Sequence, residues 1–102
     1  MKIRKIPGIP GHYVSRTGRV FSTVRCSTPR ERKLCKHTNG YWCLTVTMDN
    51  GRKRFMRVHQ MVALAWIGPC PKGHCINHKD GNKQNNHVSN LEYVTFQANL
   101  AH

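Results

Sequence analysis

The residues best suited to chemistry lie between Ile76 and Glu92, where the chain reads Ile-Asn-His-Lys-Asp-Gly-Asn-Lys-Gln-Asn-Asn-His-Val-Ser-Asn-Leu-Glu. His78 carries an imidazole whose ordinary pKa near 6.5 lets it take a proton from water at neutral pH, which Lys and Arg cannot do. Around it stand many amides and one carboxylate, Asp80. Asn and Asp side chains bond to neighbouring backbone groups, so such a loop can be rigid without a large apolar core. A rigid loop can hold a catalytic group. Asn is also a common turn residue, so Asn77 and Asn90 divide evenly between direct chemistry and loop architecture.

The flanking sequence predicts the elements that hold this loop. Leu91-Glu92-Tyr93-Val94 reads as a strand, and Thr95 can cap a helix through Phe96, Ala98, Asn99 and Leu100 to His102. The expected order is strand, loop, strand, helix. Upstream, His59 to Ile67 has the apolar spacing of a nearly buried helix that Gly68-Pro69 stops. Before it, Tyr41 to Met48 and Lys53 to Val58 flank Asp49-Asn50-Gly51, the clearest hairpin in the chain. Tyr13-Val14-Ser15 and Arg19 to Ser22 read as brief strands among Pro and Gly turns, and the polar, basic stretch from Cys26 to Thr38 as a mobile loop. Trp42 and Trp66 are expected in the core. Together these predict one α+β domain, a small antiparallel sheet with one helix: a basic β module over 1–57, a core helix over 58–68, and the chemical segment over 73–102.

Charge narrows the partner. Seventeen Lys and Arg against four acidic residues give a formal charge of +13, a field that concentrates polyanions. Nucleic acid is the expected partner. A membrane surface would also attract such charge, but no helix joins a basic face to an exposed apolar one, and no apolar run reaches the ~20 residues of a membrane span. Without a visible secretory signal the expected location is cytoplasmic. The five cysteines, an odd number, argue against a disulfide framework. Cys70, His74 and Cys75, or Cys35, His37 and Cys43, raise the question of structural zinc, yet no pair has the two-residue spacing of a strong zinc motif. The expected phosphate-contacting residues are Arg25, Arg30, Arg32, Lys33, Arg52, Arg54, Lys79 and Lys83, with Lys53 and Arg57 on the same basic hairpin strand.

INHKDGNKQNN, then SNLEYVT, then QANLAH resembles the HNH homing endonucleases of the ββα-metal superfamily, the small phage and intron-associated kind. Val58-His59-Gln60-Met61-Val62-Ala63 is similar to that family's helix before the motif. Ile6-Pro7-Gly8 and Ser15-Arg16-Thr17-Gly18-Arg19-Val20 resemble its N-terminal module. The resemblance covers nearly the whole chain.

It implies a ββα-metal motif that cuts double-stranded DNA and leaves a 5′ phosphate. His78 would be the general base and Asn90 the central Asn that ties the loop. A divalent ion, Mg²⁺ or Mn²⁺, would be held by Asn77 and Asn99, with His102 a further candidate ligand. Related enzymes often have Asp where this chain has Asn77, so the proposed ligands carry no charge. The ion would then bind well only once a DNA phosphate completes its shell. With one site in a monomer, nicking of one strand is the simpler expectation. Two other readings stand beside it. Asn77 and the abrupt C-terminus suggest a DNA-binding module whose nuclease has decayed, and the cysteines suggest a zinc-stabilised basic protein.

Overall fold

The computed structural model describes residues 2–24, 27–38 and 40–95. In chain order the elements are β1 Ile3–Lys5, β2 His12–Ser15, β3 Val20–Ser22, β4 Arg30–Glu31, β5 Cys35–Lys36, β6 Trp42–Thr47, β7 Lys53–Arg57, α1 Val58–Trp66, β8 His74–His78, a 3-10 turn Val88–Asn90, and β9 Leu91–Thr95. The fold is α+β, and its strands form three antiparallel sheets, ordered β1-β2-β3-β4, β5-β6-β7 and β8-β9.

The expected hairpin is present, with Leu44 opposite Met56 and Val46 opposite Arg54 across β6 and β7. Gly51 closes it with φ +78, a conformation open to glycine at little cost. The stretch from Cys26 to Thr38 departs from a plain mobile loop: β4 pairs with β3 and β5 with β6, each through two residues. Backbone groups at a sheet edge can pair whatever their side chains, so a polar, basic sequence carries no alternation by which to recognise these strands. Thr95 ends β9. The helix expected after it, with Asn99 and His102, lies outside the described residues.

All three sheets are small, and the two-stranded β8-β9 ladder would be at best marginal alone in water. Helix α1 joins them. Its Val58, Met61 and Val62 are fully buried. They share one apolar cluster with Ile6, Ile9, Val14 and Val20 on the first sheet side, Leu44, Val46 and Met56 from the second, and Leu91 from the third. Gln60 Oε1 accepts the backbone N–H of Arg57 at 3.3 Å, fixing the helix start directly after β7. At the other end the N–H groups of Ile67 and Gly68 both reach Ala63 O at 2.9 Å, and Gly68 turns the chain at φ +130.

The tryptophans sit at the rim of this core rather than inside it, half-buried and packed against the cluster. Trp66 donates from Nε1 to Val14 O at 3.1 Å, while the guanidinium groups of Arg4 and Arg16 lie over its ring at 4.5 and 4.8 Å. Its indole N–H needs an acceptor and its face attracts cations, so the edge of the core suits it better than the centre.

Met61 belongs to the cluster in which all three sheets meet. Met61→Ala should therefore destabilise the fold by about 2–5 kcal/mol in urea denaturation. A loss below about 1 kcal/mol would mean that α1 does not organise the core.

Candidate active site

Strands β8 and β9 set Asn77 opposite Glu92 and His78 opposite Leu91. Beyond His78 the chain leaves the ladder, and the loop that follows is held by its own side chains. Asp80 Oδ1 accepts the backbone N–H of Asn82 at 2.8 Å and Asn90 Nδ2 at 3.0 Å, and its Oδ2 accepts Asn85 Nδ2 at 2.9 Å. These donors, Asn85 foremost, hold the Asp80 carboxyl below the usual carboxylate range. Asn90, buried, closes the circuit: its Oδ1 accepts the Asp80 N–H at 3.1 Å and its Nδ2 also donates to Asn85 O at 2.9 Å. Both polar atoms of the Asn90 amide thus serve the loop.

His78 is only 8% exposed, and its Nε2 lies 3.1 Å from Oδ1 of the buried Asn86. A carbonyl oxygen can only accept, so this contact places a proton on Nε2, and in the singly protonated ring the lone pair is at Nδ1. Beside it, Asn77 donates from Nδ2 to Glu92 Oε2 at 3.0 Å. A carboxylate takes the amide nitrogen and so turns Asn77 Oδ1 away from itself. Asn86 and Glu92 do not stand out in the sequence. Asn86 is one amide among many in its loop, and Glu92 becomes Asn77's neighbour only through the cross-strand register.

The other unexpected member is His59, which the sequence suggests is ordinary packing. It is buried, but against the candidate base: the His59 and His78 rings meet edge-on with centroids 5.0 Å apart. Tyr41 lies 5.0 Å from His59 and 6.0 Å from His78. Arg57 and Lys83 in turn sit over the Tyr41 ring at 4.6 and 5.2 Å. Among the described residues, His59 Nδ1 is the buried side-chain nitrogen that lacks a hydrogen-bond partner. Burial, reinforced by the charges of His78 and Arg57, pushes its pKa down to about 4.

The basic residues divide between two regions. Arg30, Arg32, Lys33 and Lys53 line an open groove of about 940 Å³ beside Thr45 and Thr47, between the first and second sheets. Arg32 reaches into it with Nη1 3.2 Å from His12 Nε2 and 3.5 Å from Thr45 O. Arg52 and Arg54 are exposed on the β6–β7 hairpin, and Lys79 and Lys83 on the loop after His78. Arg25 lies outside the described residues. On β7 the exposed residues Lys53, Phe55 and Arg57 share one side, opposite to Met56. Among the described residues no three His, Cys, Asp or Glu side chains converge to hold a metal, and Cys70 Sγ is turned to His74 O at 3.3 Å. No helix of the described residues is long and apolar enough to cross a membrane.

Residues 56–101 match the HNH endonuclease family and residues 1–47 match the NUMOD4 motif. Residues 56–101 are thus an HNH endonuclease region, and the proteins that the chain resembles include homing enzymes. It is 35% identical to DNA endonuclease I-HmuI of Bacillus phage SP01, covering 98% of this chain and 56% of that protein. It is 38% identical to a putative HNH homing endonuclease, YosQ, from the SPbeta prophage of Bacillus subtilis, covering 88% and 50%. The solved structure describing DNA binding and cleavage by I-HmuI superposes with a TM-score of 0.82 at 31% identity, over 99% of this chain and 56% of that one. The chain therefore spans about half the length of these relatives.

The buried His59 links this site to stability. Its neutral form is favoured on folding, so below an ordinary pKa near 6.5 the unfolded chain takes up a proton that the folded chain refuses. Stability should fall as pH drops from about 6.5 toward about 4, by on the order of 3 kcal/mol in total. In urea titrations His59→Gln should flatten this decline between pH 6.5 and 4. An unchanged slope in the variant would place the acid sensitivity elsewhere.

Proposed function

We propose that the chain hydrolyses phosphodiester bonds of double-stranded DNA, with His78 as general base and a divalent cation, Mg²⁺ or Mn²⁺, held at Asn77. The observation that carries this reading is the His78–Asn86 contact, which engages Nε2 and leaves Nδ1 as the ring nitrogen to receive a proton. In hydrolysis the attacking water must lose a proton as it bonds to phosphorus, and His78 Nδ1 would receive it. The residual proton on Nε2 stays with Asn86. Lys79 and Lys83, exposed on the same loop, would draw the DNA backbone to this base.

The donor set suits a hard divalent ion. Asn77 offers an amide oxygen, and Glu92, 3.0 Å from the Asn77 amide nitrogen, brings a full negative charge that Asn77 itself lacks. Asn99 and His102 would complete the ligand set. Such an ion would supply charge stabilisation at the phosphate and at the departing 3′ oxygen. Asn90 serves here as the brace of the loop, holding Asp80 and Asn85 so that His78 keeps its place.

DNA binding would extend beyond this centre. A duplex is long enough to reach both the catalytic loop and the groove of Arg30, Arg32, Lys33 and Lys53, with Arg52 and Arg54 along the hairpin. The N-terminal region would position the duplex, and the HNH region would cut one strand per active site.

His78→Ala should abolish plasmid cleavage in Mg²⁺ or Mn²⁺ while changing DNA affinity by less than about threefold, since a lost base costs about 10²–10⁴ in rate but touches few phosphates. Cleavage at the wild-type rate would remove His78 from the mechanism. Removal of one phosphate-contacting cation, as in Arg54→Ala, should reduce the slope of log affinity against log salt by about 1. An identical slope would take Arg54 off the DNA.

A further inference from the structure

Residues 1–47 and 56–101 match two different families, which suggests two separable parts. The contacts around Asn86 argue otherwise. We propose that Asn86 is the positioning residue of His78, and that the turn between β2 and β3 in the N-terminal region clamps Asn86 in place, so that the two regions form one catalytic unit. The inference rests on the reading of His78 as the base.

Three observations carry it. First, Asn86 is 5% exposed and its Oδ1 meets His78 Nε2 at 3.1 Å, so the imidazole has one partner at that nitrogen and a fixed ring plane. Second, the wall behind Asn86 is Gly18. A Cβ at Gly18 would stand 3.0 Å from Asn86 Cβ and 3.3 Å from Val58 Cγ1, and the glycine has φ +95. A side chain there would crowd both neighbours and strain the backbone. Third, the same turn is bonded to the loop: Val88 donates its N–H to Arg16 O at 2.8 Å, two residues beyond Asn86.

The turn is itself rigid. Ser15 is buried, its backbone N–H reaches Arg19 O at 2.9 Å, and its Oγ accepts the Arg19 N–H at 3.0 Å while contacting Thr17 Oγ1 at 3.0 Å. Gly18 N–H adds a bond to Ser15 O at 3.2 Å. A stiff turn from one region thus forms one side of the slot that holds Asn86. An amide suits this position because it accepts the Nε2 proton without the charge that a carboxylate would place beside the ring.

The test uses the full chain and reads the ring nitrogens of His78 in long-range proton–nitrogen NMR spectra at neutral pH, assigned by their disappearance in His78→Gln. The wild type should show the tautomer protonated on Nε2. Asn86→Leu should lose that fixed tautomer and lower kcat by about tenfold or more, within the ~10²–10⁴ that general base catalysis supplies, with KM and DNA affinity unchanged. Asn86→Asp, which retains an acceptor, should keep the Nε2–H form. Gly18→Ala should shift the His78 nitrogens although it does not touch that ring. Because Gly18→Ala strains the backbone, a second measurement stands beside it: in the wild type, the Val88 amide should be protected from hydrogen exchange to the same degree as the Ser15 and Arg19 amides.

A wild-type His78 protonated on Nδ1, or one indifferent to Asn86→Leu, would overturn the positioning role. Free exchange at Val88 with β2 and β3 protected would overturn the clamp. A chain that cuts no DNA yet shows the expected tautomers would defeat the nuclease reading and leave the positioning intact.

Discussion

The geometry of the candidate site depends on one buried hydrogen bond, from the His78 imidazole to the Asn86 side-chain oxygen. It decides which ring nitrogen keeps its lone pair and where that lone pair points. Any loss of the bond would leave a buried imidazole without its partner, at a cost of about 1–3 kcal/mol, so the surroundings must keep Asn86 from drifting. They do so from several sides: Gly18 stands behind it, Asn85 is tied to Asp80 and Asn90 before it, and Val88 is bonded to Arg16 after it.

The fold brings the parts of that arrangement together. Three small sheets are joined through α1, whose buried residues share one apolar cluster with all of them. The helix carries His59 on its first turn and so delivers a second imidazole against the edge of the first. The His59 ring packs edge-on against that of His78, and burial above all holds its pKa down at about 4. Such a ring costs stability in acid, which is acceptable where packing at neutral pH is what matters.

Much of the site is legible in the sequence because its residues are close in the chain. INHKDGN and SNLE point to His78, Asn90 and the loop-fixing Asp80, and the spacing of apolar residues points to α1 and the β6–β7 hairpin. What stays hidden depends on register and tertiary contact. Glu92 meets Asn77 only because β9 pairs with β8 in one register, and a slip of one residue would turn it to the other face. Asn86 is chemically indistinguishable from Asn82 and Asn85 until Gly18 is placed behind it. His59 reads as packing, and it is packing, but against the ring of the candidate base. The edge strands β4 and β5 are invisible in the sequence because two-residue pairings in a basic stretch leave no hydrophobic pattern to read.

The most direct test is a crystal structure of the chain with a DNA duplex and Mn²⁺, in which the metal is located by its anomalous scattering. The account predicts the metal at Asn77 Oδ1 and a phosphate oxygen, with His78 Nδ1 facing the same phosphate through one ordered water while Nε2 stays on Asn86. A metal bound away from Asn77, or a His78 whose Nδ1 faces protein while Nε2 faces the phosphate, would contradict it.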